Sequence, residues 1–304
     1  EEDKMKVLVT DPIHEDGIKK LEEFADVEVA TGLDQESLLE KVPDFGAMIV
    51  RSATKVGKDL LDAGGNLKLI VRAGVGLDNI DLDTAKERNI KVVNTPEAPT
   101  TAVAELTISL MLAWARKIPK ADKAMKEGKW IKSQLVGTEL KDKTLGIIGT
   151  GRIGREVARR AKALGMNLLG YDVEKSDEFK EMGGEYVGLE ELLQNSDYVT
   201  LHVPLIPPTR HMISEEELNL MKSTAVLVNA ARGPIVDEEA LIKALKNEKI
   251  AGACIDVCEH DPPEESPLTQ LDNVILTPHL GASTREAQRT AGVLAAEKIR
   301  ENLK

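Results

Sequence analysis

Aromatic residues make up only 3% of this 304-residue chain, which leaves no run of stacking side chains on which single-stranded nucleic acid could lie. Positive charge is also scarce. The 40 Lys and Arg are outnumbered by 52 Asp and Glu, for a formal net charge of -12, and a surface of that sign does not bind phosphate backbones by counterion release. An anionic ligand must therefore meet a local cluster of arginine or lysine. The only two cysteines, Cys254 and Cys258, lie beside a strand-like apolar run and read as small core residues rather than as a disulfide or a metal pair. No apolar run approaches the length of a membrane span, and the N-terminal EEDKMKVLVT is charged and leads into a strand rather than a signal sequence. A cytoplasmic protein with no nucleic-acid, membrane or metal partner is expected. No solenoid-period repeat or low-complexity segment is present.

Hydrophobic residues at 42% and charged residues at 30% suit a globular chain long enough for two hydrophobic cores. Strand-like runs at 6–10, 27–30, 47–51, 67–71 and 91–93 alternate with amphipathic stretches, and a second series follows at 198–203, 225–229, 251–257 and 274–277. This alternation predicts α/β architecture with parallel sheets. Ser214 with Glu217, and Ser283 with Glu286, read as capping boxes that start two of the helices. The segment from Thr100 to Trp130 reads as mostly helical, anchored by Leu106, Leu110, Leu112 and Trp114 and broken at Pro119. Its surplus apolar face is expected to pack on a second copy, giving a homodimer, with a tetramer as the larger alternative.

The most informative stretch is Thr144 to Asp172, TLGIIGTGRIGREVARRAKALGMNLLGYD, which reads as strand, glycine turn, helix and second strand ending in an acid. Gly149 permits the tight turn, Gly151 lets the backbone approach a pyrophosphate, and Gly154 lets the helix lie close on the strand. The free N–H groups at the helix start then face the phosphates. Asp172 accepts hydrogen bonds from ribose hydroxyls and repels a 2′-phosphate, so NAD is expected over NADP.

Three further segments place charged residues at strand ends, where open α/β sheets bind ligands. They are NAARGPIVD at 229–237, IDVCEHDPP at 255–263 and TPHLGAS at 277–283. Hydride transfer at a carbinol carbon needs a proton acceptor for the hydroxyl and a cation for the neighbouring carboxylate. His279 suits the first task because histidine titrates near neutrality, and Arg232 suits the second because its planar fork engages a carboxylate bidentately. Asp261 is the candidate that orients His279, against Glu259 or no direct partner. Lone residues of these types are more often surface groups, so the weight lies in their joint occurrence with the glycine turn.

These segments, together with VRSATKV at 50–56, RAGVGLDNID at 72–81, and VVNTP and AELT within 92–107, resemble the D-isomer-specific 2-hydroxyacid dehydrogenase family from Lys6 to Lys304. The resemblance implies two Rossmann-like domains with the nucleotide domain inserted into the substrate domain. The substrate domain is then discontinuous and flavodoxin-like, over 1–97 and 284–304, and the NAD domain covers 98–283. It further implies NAD contacts at Val75, Arg152, Ile153, Val203, Ala230, Ala231, Arg232, Asp256, and the His279 to Ala282 loop including Gly281, beside Gly149, Gly151, Gly154 and Asp172. The family usually carries Glu where this chain has Asp261, one methylene shorter.

For the substrate, Arg51, Ser52, Arg72, Ala73 and Gly74 form a candidate anion cradle alongside Arg232 and His279. Arg51 and Lys132 are the phosphate candidates, against ordinary solvated charges. The activity implied is NAD-dependent oxidation of 3-phospho-D-glycerate at C2, with reduction of glyoxylate or hydroxypyruvate as the alternative and a dinucleotide-sensing binding protein as the rival from another class. Members of the family often carry a regulatory domain after the catalytic unit, and none is expected within these residues.

Overall fold

The computed structural model describes residues 4–264 and 266–302. In chain order the elements are β1 (Lys6–Val9), α1 (Glu15–Glu22), β2 (Asp26–Val29), α2 (Gln35–Lys41), β3 (Ala47–Val50), α3 (Lys58–Ala63), β4 (Leu69–Arg72), α4 (Leu82–Glu87) and β5 (Lys91–Asn94). Two helices follow, α5 (Thr100–Ala115) and α6 (Ile118–Lys126). The chain continues with β6 (Thr144–Ile148), α7 (Arg152–Ala163), β7 (Asn167–Tyr171), α8 (Asp177–Glu181), β8 (Glu185–Tyr186), α9 (Leu189–Asn195) and β9 (Tyr198–Leu201). It closes with α10 (Glu215–Leu220), β10 (Val226–Asn229), α11 (Glu238–Lys246), β11 (Gly252–Ile255), β12 (Val274–Leu276) and α12 (Arg285–Glu301).

These elements form two compact units, one of residues 1–99 with 282–304 and the other of residues 100–281. The first holds a parallel sheet in the order β2-β1-β3-β4-β5. Its apolar strands are covered on both faces, one face by a core around Leu8, Met48 and Ile70, the other by Val7, Ile49 and Val71 packed with Ala295, Ala296 and Ile299 of α12. α12 crosses α1 where Gly17 and Gly292 meet, so close that a Cβ on Gly17 would stand 2.5 Å from the Gly292 carbonyl oxygen.

The second unit holds a seven-stranded parallel sheet in the order β12-β11-β10-β9-β6-β7-β8. Along β6, Leu145 and Ile147 enter one core while Ile148 enters the other. Burial on both faces, complete along β9, β10 and β11, explains why the central strands read as continuous apolar runs rather than as alternation.

Local details depart from the sequence expectations in three places. The chain turns at Lys117 in the left-handed region (φ 53°), and Pro119 sits in the first turn of α6, a position that needs no N–H. Pro119 thus opens a second helix rather than ending the first, and Leu112 is 39% exposed rather than a core anchor. α12 is capped by Thr284, whose side chain accepts the Ala287 N–H, not by Ser283. At α10 the expected capping box of Ser214 and Glu217 is present, the Glu217 carboxylate accepting both the N–H and the hydroxyl of Ser214.

Candidate active site

In each sheet the strand order reverses once, between β6 and β9 in the larger and between β1 and β3 in the smaller. Crevices outside the carboxyl ends of strands at such points are where open α/β sheets take ligands. At the first, Gly149 leaves β6 with φ +93°, and a Cβ on it would lie 2.7 Å from the His202 carbonyl group after β9. A Cβ on Gly154 would lie 2.0 Å from the Gly149 oxygen, so the first turn of α7 rests directly on the strand-to-helix turn. Gly151 differs, because a Cβ there meets nothing within 4 Å. Its backbone, at the N-cap of α7, faces open space beside exposed Arg152 and half-buried Ile153. A small, open N-cap at the start of a twelve-residue helix fits a pyrophosphate.

Asp172, the first residue after β7, is tied to the same turn. Its Oδ2 accepts the Thr150 N–H at 2.6 Å and the Thr150 hydroxyl at 3.2 Å, while Oδ1 accepts the Glu174 N–H at 3.2 Å. A carboxylate has about four acceptor positions, so it retains capacity for a ribose diol. Thr150 is held in turn by the Tyr186 hydroxyl at 2.6 Å. Val203 follows β9, half-buried beside His202. Burial holds His202 neutral, with a pKa pushed down to about 3, and its Nε2 pairs with the Thr200 hydroxyl at 3.0 Å.

Arg232 sits on the turn after β10, and the turn is shaped by a buried side chain that sequence reasoning passed over. Asn229 accepts the Ala231 N–H at 3.1 Å and donates to the Arg232 carbonyl at 2.9 Å, with Ala230 between them. Gly233 then presses on the loop that follows β11, where a Cβ would fall 1.8 Å from the Cys258 carbonyl oxygen. The arginine turn is thereby laid against the segment that carries Asp261.

After β11, buried Asp256 organises the loop that follows β12. Its Oδ1 accepts the Thr277 hydroxyl at 2.6 Å and the Leu280 N–H at 2.7 Å, and its Oδ2 accepts the Gly281 N–H at 2.9 Å. The His279 N–H donates to the Asp256 carbonyl at 2.9 Å and to the Thr277 carbonyl at 3.0 Å. His279 itself is held at φ 53°, a conformation costly for a residue with a side chain and common where structure serves a site. Its Nδ1 meets Asp261 Oδ2 at 2.9 Å, while Asp261 Oδ1 accepts the Cys258 N–H at 3.0 Å. Glu259 turns elsewhere, to His211 Nε2 at 3.1 Å and Arg210 at 3.4 Å. The Cys258 thiol is pushed up to about 11, by burial first and then by the carboxylates of Glu238, Asp261 and Asp256, and burial raises Cys254 to about 12. Neither thiol is a nucleophile near neutral pH.

At the second crevice, Asp11 after β1 accepts the Arg51 N–H at 2.6 Å, the Thr54 N–H at 3.1 Å and the Thr54 hydroxyl at 2.7 Å. Asn79 donates to the Arg51 and Thr54 carbonyls, both at 2.7 Å. The loop with Arg51 and exposed Ser52 is fixed from both sides, and Arg51 lines a cavity of about 260 Å³ with His14, Ala73 and Gln288. Arg72 ends β4, and its guanidinium lies over Gly74, where a Cβ would fall 1.4 Å from Nη1. Val75 is exposed in this same unit, which also begins again at Ala282. Lys132 is exposed on a short 3-10 turn, Lys132–Gln134, of the larger unit. Among the described residues, no group of three or more His, Cys, Asp or Glu could hold a metal, and no helix is long and apolar enough to cross a membrane.

Residues 108–281 match the sequence model of the D-isomer specific 2-hydroxyacid dehydrogenase NAD binding domain, which covers more than half of the chain. The chain belongs to that family. A D-3-phosphoglycerate dehydrogenase of Methanocaldococcus jannaschii is 54% identical over 302 residues, 99% of this chain and 58% of the relative. A hydroxypyruvate reductase of Thermotoga maritima is 47% identical over 98% of both chains. The crystal structure of D-lactate dehydrogenase from Aquifex aeolicus, complexed with NAD and lactic acid, superposes with a TM-score of 0.88 at 32% identity, over 97% of this chain and 94% of that one. The chain spans 58%, 56% and 54% of the first three phosphoglycerate dehydrogenases it matches. As a member of this dehydrogenase family it takes NAD through the larger unit, whose glycine turn and Asp172 fit that cofactor.

Proposed function

We propose that this protein oxidises 3-phospho-D-glycerate at C2 with NAD. The observation that carries the reading is the 2.9 Å contact between Asp261 and His279 Nδ1, on a loop beside the Arg232 turn. Asp261 holds Nδ1 and so orients the ring, leaving Nε2 to take the C2 hydroxyl proton. Arg232 holds the substrate carboxylate and polarises the carbonyl as it forms. The glycine turn and Asp172 would hold NAD, which would supply the hydride acceptor for C2. Asp172 selects NAD, so replacing it with Ala should raise the efficiency with NADP relative to NAD.

Arg51 and its cavity favour a phosphorylated substrate, and the phosphoglycerate dehydrogenase relatives support the same choice. A second reading, reduction of hydroxypyruvate or glyoxylate, is favoured by the Thermotoga relative, which matches this chain over nearly its whole length. Comparing kcat/KM for 3-phospho-D-glycerate with that for D-glycerate, and for hydroxypyruvate in reverse, decides between them. Equal values with and without the phosphate would exclude the first reading. An absence of turnover with tight NADH binding would instead support a dinucleotide sensor.

We further propose a homodimer formed through the larger unit. Leu112 at 39%, Ile118 at 54% and Met125 at 57% exposure lie on α5 and α6, and Trp130 at 78% and Val136 at 75% follow them, which is more apolar surface than one unit leaves to water without reason. Light scattering coupled to size exclusion tests this, and Leu112→Glu with Met125→Glu should yield monomers. The reading places the protein in the cytoplasm, where its two free, buried thiols remain reduced.

A further inference from the structure

Asp261 is carried by a segment after β11 that has no regular structure over 256–264 and is exposed at 260–262, yet its carboxylate must stay within hydrogen-bond reach of His279. Both of its oxygens are committed, one to His279 Nδ1 and one to the Cys258 N–H. An aspartate has only two side-chain torsions with which to absorb movement of its backbone, so the loop itself must be held. The clamp is a single carboxylate. Glu238, the first residue of α11, accepts the Glu259 N–H through Oε2 at 3.0 Å and the Ser266 hydroxyl through Oε1 at 2.6 Å. These two donors stand on either side of Asp261 in the sequence, so one side chain closes the loop like a clasp. Glu259 adds a second tether by its contacts with His211 and Arg210.

We propose that Glu238 is a positioning residue for proton transfer, holding the Glu259 to Ser266 loop so that Asp261 stays on His279. The inference rests on the reading of Asp261 as the orienter of His279. Loss of the clamp frees the loop by an ångström or more, and displacement on that scale is enough to cost on the order of tenfold or more in rate. It also frees the His279 ring to turn away from the reacting hydroxyl, so kcat falls while KM and NADH affinity stay near those of the parent. Among the hydrogen bonds of the described residues, those of Glu238 are the ones that hold both sides of the loop.

The test uses the whole chain, with oxidation of 3-phospho-D-glycerate and of D-glycerate by NAD followed at fixed pH. Glu238→Ala should lower kcat about tenfold, with KM and NADH affinity within about twofold of the parent. Glu238→Gln should recover most of the rate, because its oxygen still accepts the Glu259 N–H and its amide can donate to Ser266 Oγ. Asp261→Asn should reproduce the fall in kcat at unchanged KM. If Asp261→Asn lowers kcat and Glu238→Ala does not, the clamp is refuted while the orienter stands. A Glu238→Ala enzyme whose KM and NADH affinity suffer as much as its kcat, or that Glu238→Gln fails to rescue, refutes it equally, since a merely structural loss spreads over all three. If neither variant lowers kcat, the orienter reading fails and takes the clamp with it. Should Glu238→Ala not fold, Ser266→Ala removes one anchor alone, and an unchanged kcat there overturns the proposal.

Discussion

Asp261 reaches His279 Nδ1 at 2.9 Å although it is a methylene shorter than the glutamate its family usually places there. The loop makes up the difference by folding Asp261 back over its own base, where the second oxygen accepts the Cys258 N–H. Asp261→Glu should therefore keep the imidazole contact, give up the Cys258 bond, and retain kcat within about threefold, whereas His279→Ala should abolish turnover with NADH affinity nearly unchanged. Steady-state rates with fluorescence titration of NADH check both. A glutamate variant as inactive as the alanine one would show that the reach is set by the aspartate alone.

Gly149 and Gly151 look alike in the sequence and should behave oppositely. Gly149→Ala places a side chain at φ +93° and drives a Cβ to 2.7 Å from the His202 backbone, so about 2 kcal/mol or more of stability should be lost. Gly151→Ala meets nothing in the protein within 4 Å and should melt like the parent, yet its methyl group enters the space proposed for the pyrophosphate. NADH affinity should fall about tenfold or more for Gly151→Ala. Unchanged affinity with unchanged melting would move the pyrophosphate elsewhere.

What could be read in advance follows from range. Leu145 to Ile148, the glycine turn and Asp172 are local signals, and strands buried on both faces announce themselves as short apolar runs, as do the strands that precede Arg232 and His279. β8 (Glu185–Tyr186) is two residues long and too short to show any period. α5 is apolar on nearly every side, so its sequence says that it is buried without saying on which face, and Leu112 is misread for that reason. Ser283 and Thr284 are adjacent hydroxyls that both fit a cap pattern, and only backbone geometry chooses between them. Asn229, Asp256 and Glu238 do their work by hydrogen bonds that depend on how neighbouring strand ends meet. The Glu238 to Ser266 contact spans 28 residues, and no spacing rule reaches it.

Half-buried His202 gives the fold a pH dependence of its own. In the unfolded chain histidine takes up a proton near pH 6.5, whereas burial keeps His202 neutral down to about 3. Between those values the unfolded state binds the extra proton, so stability falls as pH drops below 6.5 and levels off near 3. The loss at pH 5 is at most about 2 kcal/mol. His202→Gln keeps a partner for Thr200 and removes the titration, so its urea midpoint should change less between pH 7 and pH 5 than that of the parent. Parallel changes in the two proteins would assign the acid sensitivity to other groups.

Arg51 offers the sharpest separation of the two substrate readings, because its backbone and its charge do different things. The backbone is held by Asp11 and Asn79, so Arg51→Ala should leave the loop in place while removing the guanidinium, with its 3.2 Å bond to the Pro12 carbonyl, from the cavity shared with His14 and Gln288. A charge-assisted hydrogen bond to a phosphate contributes about 2 kcal/mol, so KM for 3-phospho-D-glycerate should rise roughly thirtyfold. KM for hydroxypyruvate, which has no phosphate, should stay within about twofold. Arg51→Lys should recover part of the loss, since a point charge still attracts phosphate without the bidentate fork. If both substrates suffer equally, Arg51 contacts the part they share, and the cavity cannot be the feature that selects a phosphorylated acid.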